Sequence, residues 1–316
     1  MRTRRTALVL SVTLVATLTS CGGDGATVSS NSKSVTTLAS SATTSSPPAG
    51  DGAVIDGIKV WMGGETQGVS GVGAFDHPVV GVGDDGTGRY IVAVNARPYD
   101  PFNSLDVMDS TGKILTAAST FFGVDNVAGV PTVLVNWWDE KAESSLESGK
   151  SGSRLRLVPL DGSKVTDLEV FGYGSGPVSV SAQNDRFLAA TAVEGSSLVE
   201  LLDLDGQPVS DLPLRDQVSD PESYGPLTQV PEQDTAVVNH ISETRTTIEI
   251  IPIPQGPATT IDLPEGVEVK DLRTDGRTAL VLTVGKVMVI DLATKKITTT
   301  VDVPVDIISI DYRTGL

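Results

Sequence analysis

An all-β body built as a closed ring of repeated sheets is the fold this sequence predicts, on three observations. From residue 52 onward, short runs rich in Val, Ile, Leu and Thr are punctuated by Gly, Asp-Gly and Pro, with almost no helical periodicity. Four such runs recur in units of about forty residues, the size of one antiparallel four-stranded sheet. The last run resembles the first strand of a unit that has no further strands, while the start of the body offers strands lacking a first one.

The individual runs carry the first observation. Arg89–Asn95 (RYIVAVN), Arg154–Pro159 (RLRLVP), Thr247–Ile251 (TIEII) and Lys286–Ile290 (KVMVI) are dense in residues that fit a pleated, buried surface. Only Asp139–Lys150 has a helix-like composition, and it lacks an apolar stripe.

The repeat is clearest from Val267 to Val303. It reads as a strand, an Asp275-Gly276 turn, a strand at Thr278–Thr283, a tight turn, a strand at Lys286–Asp291, a turn, and a strand at Lys296–Val301. That is the unit of a β-propeller blade. The segment resembles YVTN-type and WD-repeat-like blades, with DGRTALVLT, VMVIDLATKKI and TTTVDVP in the order that family uses, although no repeated Trp-Asp signature is present. Weaker copies run from Pro78 to Phe121 with Gly86 in the turn, from Asn126 to Val170, from Val178 to Leu214 and from Leu227 to Leu263.

The chain ends explain how such a ring would close. Asp306–Tyr312 (DIISIDY) and the turn Arg313-Thr314-Gly315 match the opening of a blade, and Ala53–Phe75 supplies the strands that would follow. Shared between the two ends, they predict six four-stranded blades, five continuous and one composite. Closure of this kind removes strand edges that would otherwise pair with neighbours.

The N-terminus predicts export. Arg2, Arg4 and Arg5 precede an apolar run from Ala7 to Leu18, which is too short for a permanent membrane span. The run ends in Leu18-Thr19-Ser20-Cys21, which resembles the bacterial lipobox. The resemblance implies cleavage before Cys21, diacylation of its sulfur and anchoring on the extracytoplasmic face of the cell membrane. Cys21 is the only cysteine, so no internal disulfide competes for it. Two or three acyl chains anchor stably where one is marginal, each buried methylene contributing about 0.8 kcal/mol. From Ser29 to Ser46, twelve of eighteen residues are Ser or Thr, a composition that cannot bury enough apolar surface to offset ordering. The predicted organisation is a signal peptide at 1–20, a disordered tether at 21–51 reaching roughly 30 Å, and a propeller at 52–316.

Removing the signal takes three arginines and no acids, leaving 20 Lys+Arg against 40 Asp+Glu, a net charge of −20. A body this acidic repels nucleic acid, which excludes it as a partner; a cationic ligand or divalent ion stays open.

Motifs suggestive of chemistry do not carry it, and two of them read as turns. Gly81-Val82-Gly83-Asp84-Asp85-Gly86 spells the dinucleotide fingerprint, but a strand follows it, and two aspartates face where phosphate would sit. Gly149-Lys150-Ser151 lacks the leading glycine of a P-loop, because Ser144 stands there. Gly174-Ser175-Gly176 is not a nucleophile elbow. Asp203-x-Asp205-Gly206 has the alternating carboxylates of a calcium loop, but Gln207 and Pro208 follow, so it reads as a hairpin turn. No cofactor is implied.

In a propeller, the loops between blades and those joining the second and third strands of each blade emerge at one end. This layout gathers Asp76, His77, Tyr173, Arg215, Asp216, Glu222 and Tyr224 from inter-blade loops. It adds Arg97, Tyr99, Asp100, Trp137, Trp138, Asp139, His240, Glu243 and Arg245 from the others. Aromatic and ionisable side chains on loops over a rigid scaffold suit recognition. We therefore expect a non-catalytic lipoprotein that binds a protein, or an extracellular glycan or peptide, with Asp76, His77, Arg97, Tyr99, Trp138, Tyr173, Arg215, Tyr224, His240 and Arg245 as contact residues. One alternative is a hydrolase or lyase, with or without a metal ion, using Asp76, His77 and His240, if these lie within a few ångströms of one another. Another is an accessory subunit of a transporter or sensor kinase.

Overall fold

The computed structural model describes residues 52–314, apart from 67, 140–151, 169–176, 194–195, 210–222, 232, 243–244 and 254–256. All regular structure among the described residues is β. The body opens with β1 (Ala53–Ile55), β2 (Ile58–Gly64) and β3 (Gly68–Val69). A four-stranded sheet follows: β4 (Val79–Asp84), β5 (Tyr90–Val94), β6 (Leu105–Asp109) and β7 (Ile114–Ala118). Next come β8 (Thr120–Val127), β9 (Val130–Trp138), β10 (Ser153–Pro159) and β11 (Thr166–Leu168), then β12 (Pro177–Asn184), β13 (Arg186–Val193) and β14 (Ser196–Asp203). Two further sheets are β15 (Ser223–Gln229) to β16 (Thr235–Ile241), β17 (Thr246–Pro252) and β18 (Thr259–Asp262), and β19 (Val269–Thr274) to β20 (Thr278–Thr283), β21 (Lys286–Asp291) and β22 (Lys296–Asp302). β23 (Ile307–Tyr312) ends the series.

The fold is a β-propeller. The first strands of successive sheets, β4, β8, β12, β15, β19 and β23, each pack against the next, and β23 returns to β4, so the inner strands close a ring. β8 and β12 are linked by a short parallel ladder, Gln183 to Asn126 and Asn184 to Val127, which fuses two meanders into one seven-stranded sheet. The expected closure is present: β23 pairs antiparallel with β2, with Val60 opposite Tyr312 and Met62 opposite Ile310. This composite sheet departs from the four-stranded pattern. Val60 pairs with Tyr312 on one edge and Ala53 on the other, while Gly63 pairs with Ser309 and Val69. β1 and β3 therefore share one edge of β2, and the sheet is three strands wide.

The core lies in the seams between sheets. Trp61 and Val69 meet Val79, Val82, Tyr90 and Val92 in the seam next to β4, and Leu280, Leu282, Val287 and Val289 meet Ile307, Ile310 and Tyr312 in the seam before it. Middle strands are buried on both faces. In β20, Ala279 and Val281 face the preceding sheet while Leu280 and Leu282 face the composite one. That is why these strands read as continuous apolar runs without alternation. Fully burying a valine or leucine in this way contributes roughly 1.5–3 kcal/mol.

One boundary differs from the sequence reading. The second unit begins at Thr120, not Asn126, because a single residue, Ser119, joins β7 to β8. Phe121, the last residue of the first unit in the sequence reading, belongs to the opening strand of the second. Phe121 needs Gly81 opposite it on β4: a Cβ there would overlap the ring.

Candidate functional site

Each of the five continuous units is an antiparallel meander entered at its inner strand, so its two loop classes separate to opposite ends of the ring. The end bearing the inter-blade loops and the second-to-third-strand loops carries those of the residues singled out from sequence that the structure describes. Tyr173, Arg215, Asp216, Glu222 and Glu243 lie outside the described residues, and of Tyr224 only the backbone, on β15, is described.

The most organised element at this end is the loop from Arg97 to Ser104, between β5 and β6. The Arg97 N–H donates to the Ser104 carbonyl and the Asp100 N–H to the Arg97 carbonyl, each at 2.9 Å. The Asp100 carboxylate accepts the N–H groups of Phe102 and Asn103, both at 2.9 Å. Those backbone donors, Asn103 first, hold its carboxyl below the usual carboxylate range. Asn103 then bridges to the neighbouring sheet, donating to the Trp138 carbonyl at 3.1 Å and accepting its N–H at 2.9 Å. Phe102 stacks on Trp138, with centroids 5.5 Å apart and planes 10° from parallel. Arg97 Nε lies 2.7 Å from Asp106 Oδ1. Tyr99, at the tip of this braced loop, is 98% exposed.

The other named residues are less connected. Asp76 and His77 are exposed in the loop before β4. Trp137 faces its own sheet, covered by the Arg156 guanidinium 3.7 Å from its ring centroid; Arg156 is in turn held by both oxygens of Asp167 at 2.6 and 2.8 Å. His240 Nδ1 lies 3.1 Å from Glu249 Oε1, across β16 and β17. Arg245 reaches Asp262 at 3.1 Å on the surface. His77 enters the ring at β4 and His240 belongs to the sheet of β15, three inner strands away in either direction. The structure thus sets the two histidines on opposite sides of the ring. Among the described residues, no group of three or more His, Cys, Asp or Glu is arranged to hold a metal ion.

Of the motifs read as lacking chemistry, two lie among the described residues and both are turns. Asp84 ends β4, and β5 follows the glycine-rich turn. Asp203 Oδ1 accepts the N–H groups of Asp205 (3.0 Å) and Gln207 (2.9 Å), bracing a hairpin. Gly149-Lys150-Ser151 and Gly174-Ser175-Gly176 lie outside the described residues.

The opposite end holds a feature the sequence reading missed. A cavity of about 420 Å³ opens among the ends of all the inner strands, lined by Asp84, Asp125, Gln229, Arg273, Asp311 and Thr314 among others. Here polar side chains of one inner strand take the N–H groups of the next. Asp125 accepts from Ala182 (2.7 Å), Ser181 from Gln229 (3.0 Å), Asp271 from Ile310 (3.0 Å), Ser309 from Val82 (3.0 Å) and Asp311 from Asp84 (2.9 Å). Asp84 in turn accepts the Trp61 indole N–H at 2.9 Å and the Gly86 N–H at 2.9 Å, and also bonds Thr314. In sequence these are polar residues at alternate positions of the inner strands, such as Ser309 and Asp311 of β23, recurring roughly a blade apart. That spacing was the available signal.

The fold and its two ends define a ring-shaped scaffold with a braced aromatic loop at one mouth and a polar cavity at the other. No protein-family model and no curated protein matches the chain. Solved structures do. A chain from the nidogen/laminin complex aligns at 9% identity over 81% of this chain and 98% of its own, with a TM-score of 0.52. The β-propeller domain of Myceliophteria thermophila Cps50 (Swd1) aligns at 15% identity over 60% of this chain and 57% of its own, with a TM-score of 0.39. The designed protein Ika8 aligns at 13% identity, covering 81% of this chain and 75% of its own, with a TM-score of 0.45. The likeness to the first establishes the fold.

Proposed function

We propose that this chain is an extracytoplasmic lipoprotein, held on the cell membrane through lipid on Cys21, whose six-bladed propeller binds a protein partner at the loop-bearing end. The observation that carries the binding reading is Tyr99. A large aromatic side chain almost wholly in solvent, on a loop whose backbone is already fixed, can dock with little further loss of conformational freedom. Tyrosine is also among the residues that dominate interface energetics. The nidogen structure, named as a complex with laminin, offers a precedent for a propeller engaging another protein. The anchoring reading rests on the arginines, the apolar run and the LTSC tetrapeptide before Gly22.

Two experiments test the two halves. Growth with an alkyne-tagged fatty acid should label the wild-type protein and leave Cys21→Ala unlabelled and released from membranes; equal labelling of both would refute the anchor. Affinity purification from intact cells should recover a discrete protein with the wild type and lose it with Tyr99→Ala. Undiminished recovery with the variant would refute the assigned surface.

A further inference from the structure

We propose that Arg273 and the carboxylates of Asp125, Asp271 and Asp311 form a proton-sensitive latch across the ring, one that holds more firmly in mildly acidic surroundings than in neutral ones.

The latch spans the molecule. Arg273 lies on β19, and its Nη2 donates to the Phe122 carbonyl on β8 at 2.6 Å, three inner strands away in either direction. It can approach because Gly123 has no side chain: a Cβ there would overlap the guanidinium, and the backbone φ of 137° already favours glycine. Asp271, on the same strand, has Oδ1 3.4 Å from Arg273 Nε, and its other oxygen accepts the Ser309 hydroxyl (2.9 Å) and the Ile310 N–H (3.0 Å). Asp311 and Asp125 line the same cavity as Arg273, without pairing with it directly, and accept N–H groups from Asp84 and Ala182. Each carboxylate therefore adds its charge to the field on the central cation and serves one seam between neighbouring inner strands, including the seam where β23 meets β4.

The charges do not balance. One guanidinium, paired with Asp271, shares the cavity with the carboxylates of Asp125 and Asp311, deep in the ring where like charges interact strongly. Further negative groups face the same space, Asp84 from β4 and Asp275 from the turn after β19. β2, paired with β23, places the uncharged Trp61 opposite Asp311. Burial works against the charge of Arg273, but Asp271, Asp311 and Asp125 overcome it and hold the guanidinium protonated. The excess falls on the acids. Asp125 and Asp311 line the cavity and are not sealed from water, yet they sit deep enough that burial raises both above the usual carboxylate range. Asp311 is pushed up to about 7, with Asp125 and Asp271 adding to burial, and with Arg273 and the Asp84 N–H opposing it. Between the unfolded value near 3.8 and this folded value, the folded ring holds a proton that the unfolded chain has released. Stability from this group therefore grows as pH falls through about 7 and stops growing near 4.

The test is the urea midpoint of the full mature chain between pH 5 and 8, for the wild type and for Asp311→Asn, which keeps shape and an acceptor oxygen. The wild-type midpoint should fall as pH rises through 7, and the variant should lose most of the part of that slope centred there. Parallel profiles, or a wild-type midpoint that rises with pH, would overturn the proposal. If the variant does not fold, infrared titration of the wild-type carboxyls decides. A band titrating near 7 supports the latch, and titration of every carboxyl below 5 refutes it.

Discussion

The two mouths of the ring use their polar residues differently. At the cavity mouth, Asp125, Asp271, Asp311, Ser181 and Ser309 all accept N–H groups of neighbouring inner strands, and Asp84 accepts the Trp61 indole N–H of β2. At the loop mouth, bonds of the same kind fix the Arg97–Ser104 backbone and stop short of Tyr99, which stays in solvent. One end joins the sheets to one another, and the other presents a shaped surface. A polar cavity is thus not by itself the place to look for a partner when its groups are committed to closing a ring.

This contrast can be broken by substitutions, which should separate stability from binding. Arg273→Met should have the largest effect on stability, about 3–5 kcal/mol by urea unfolding, because it strands several carboxylates without their cation. A loss under about 1 kcal/mol would mean the cavity mouth does not hold the ring. Trp138→Ala removes the stack beneath the loop. It should cost about 2 kcal/mol, less than a fully buried tryptophan, and should also weaken partner binding by loosening the loop. Tyr99→Ala should leave stability within about 0.5 kcal/mol while reducing partner affinity tenfold or more. Arg245→Ala, which breaks a surface pair with Asp262, should cost only about 0.2–1 kcal/mol and less in high salt, measured by unfolding at two ionic strengths.

Much of the ring was legible in sequence, for identifiable reasons. The unit from Val267 to Val303 could be read strand by strand because Asp-Gly and Val-Gly turns separate its runs, and β20 and β21 fall where predicted. Closure could be read because DIISIDY had no blade of its own. The join at Ser119 could not, since a one-residue connection leaves no turn signal between β7 and β8. The narrow composite sheet was hidden for a similar reason: Gly63 and Gly64 let β3 fold back on β2 for only two residues. At the loop mouth, Tyr99 and Trp138 were singled out as rare aromatics on loops, but not their connection through Phe102 and Asn103. Arg273 was missed because, apart from Asp271 on its own strand, the groups around it come from strands about 40 to 150 residues away, and only the ring brings them together.

Site-specific cross-linking in living cells tests the division of labour most directly. A photoreactive benzoylphenylalanine replacing Tyr99 should yield a discrete adduct with another protein, and the same group replacing Asp275 at the cavity mouth should yield none. An adduct from position 275 with nothing from position 99 would contradict the account.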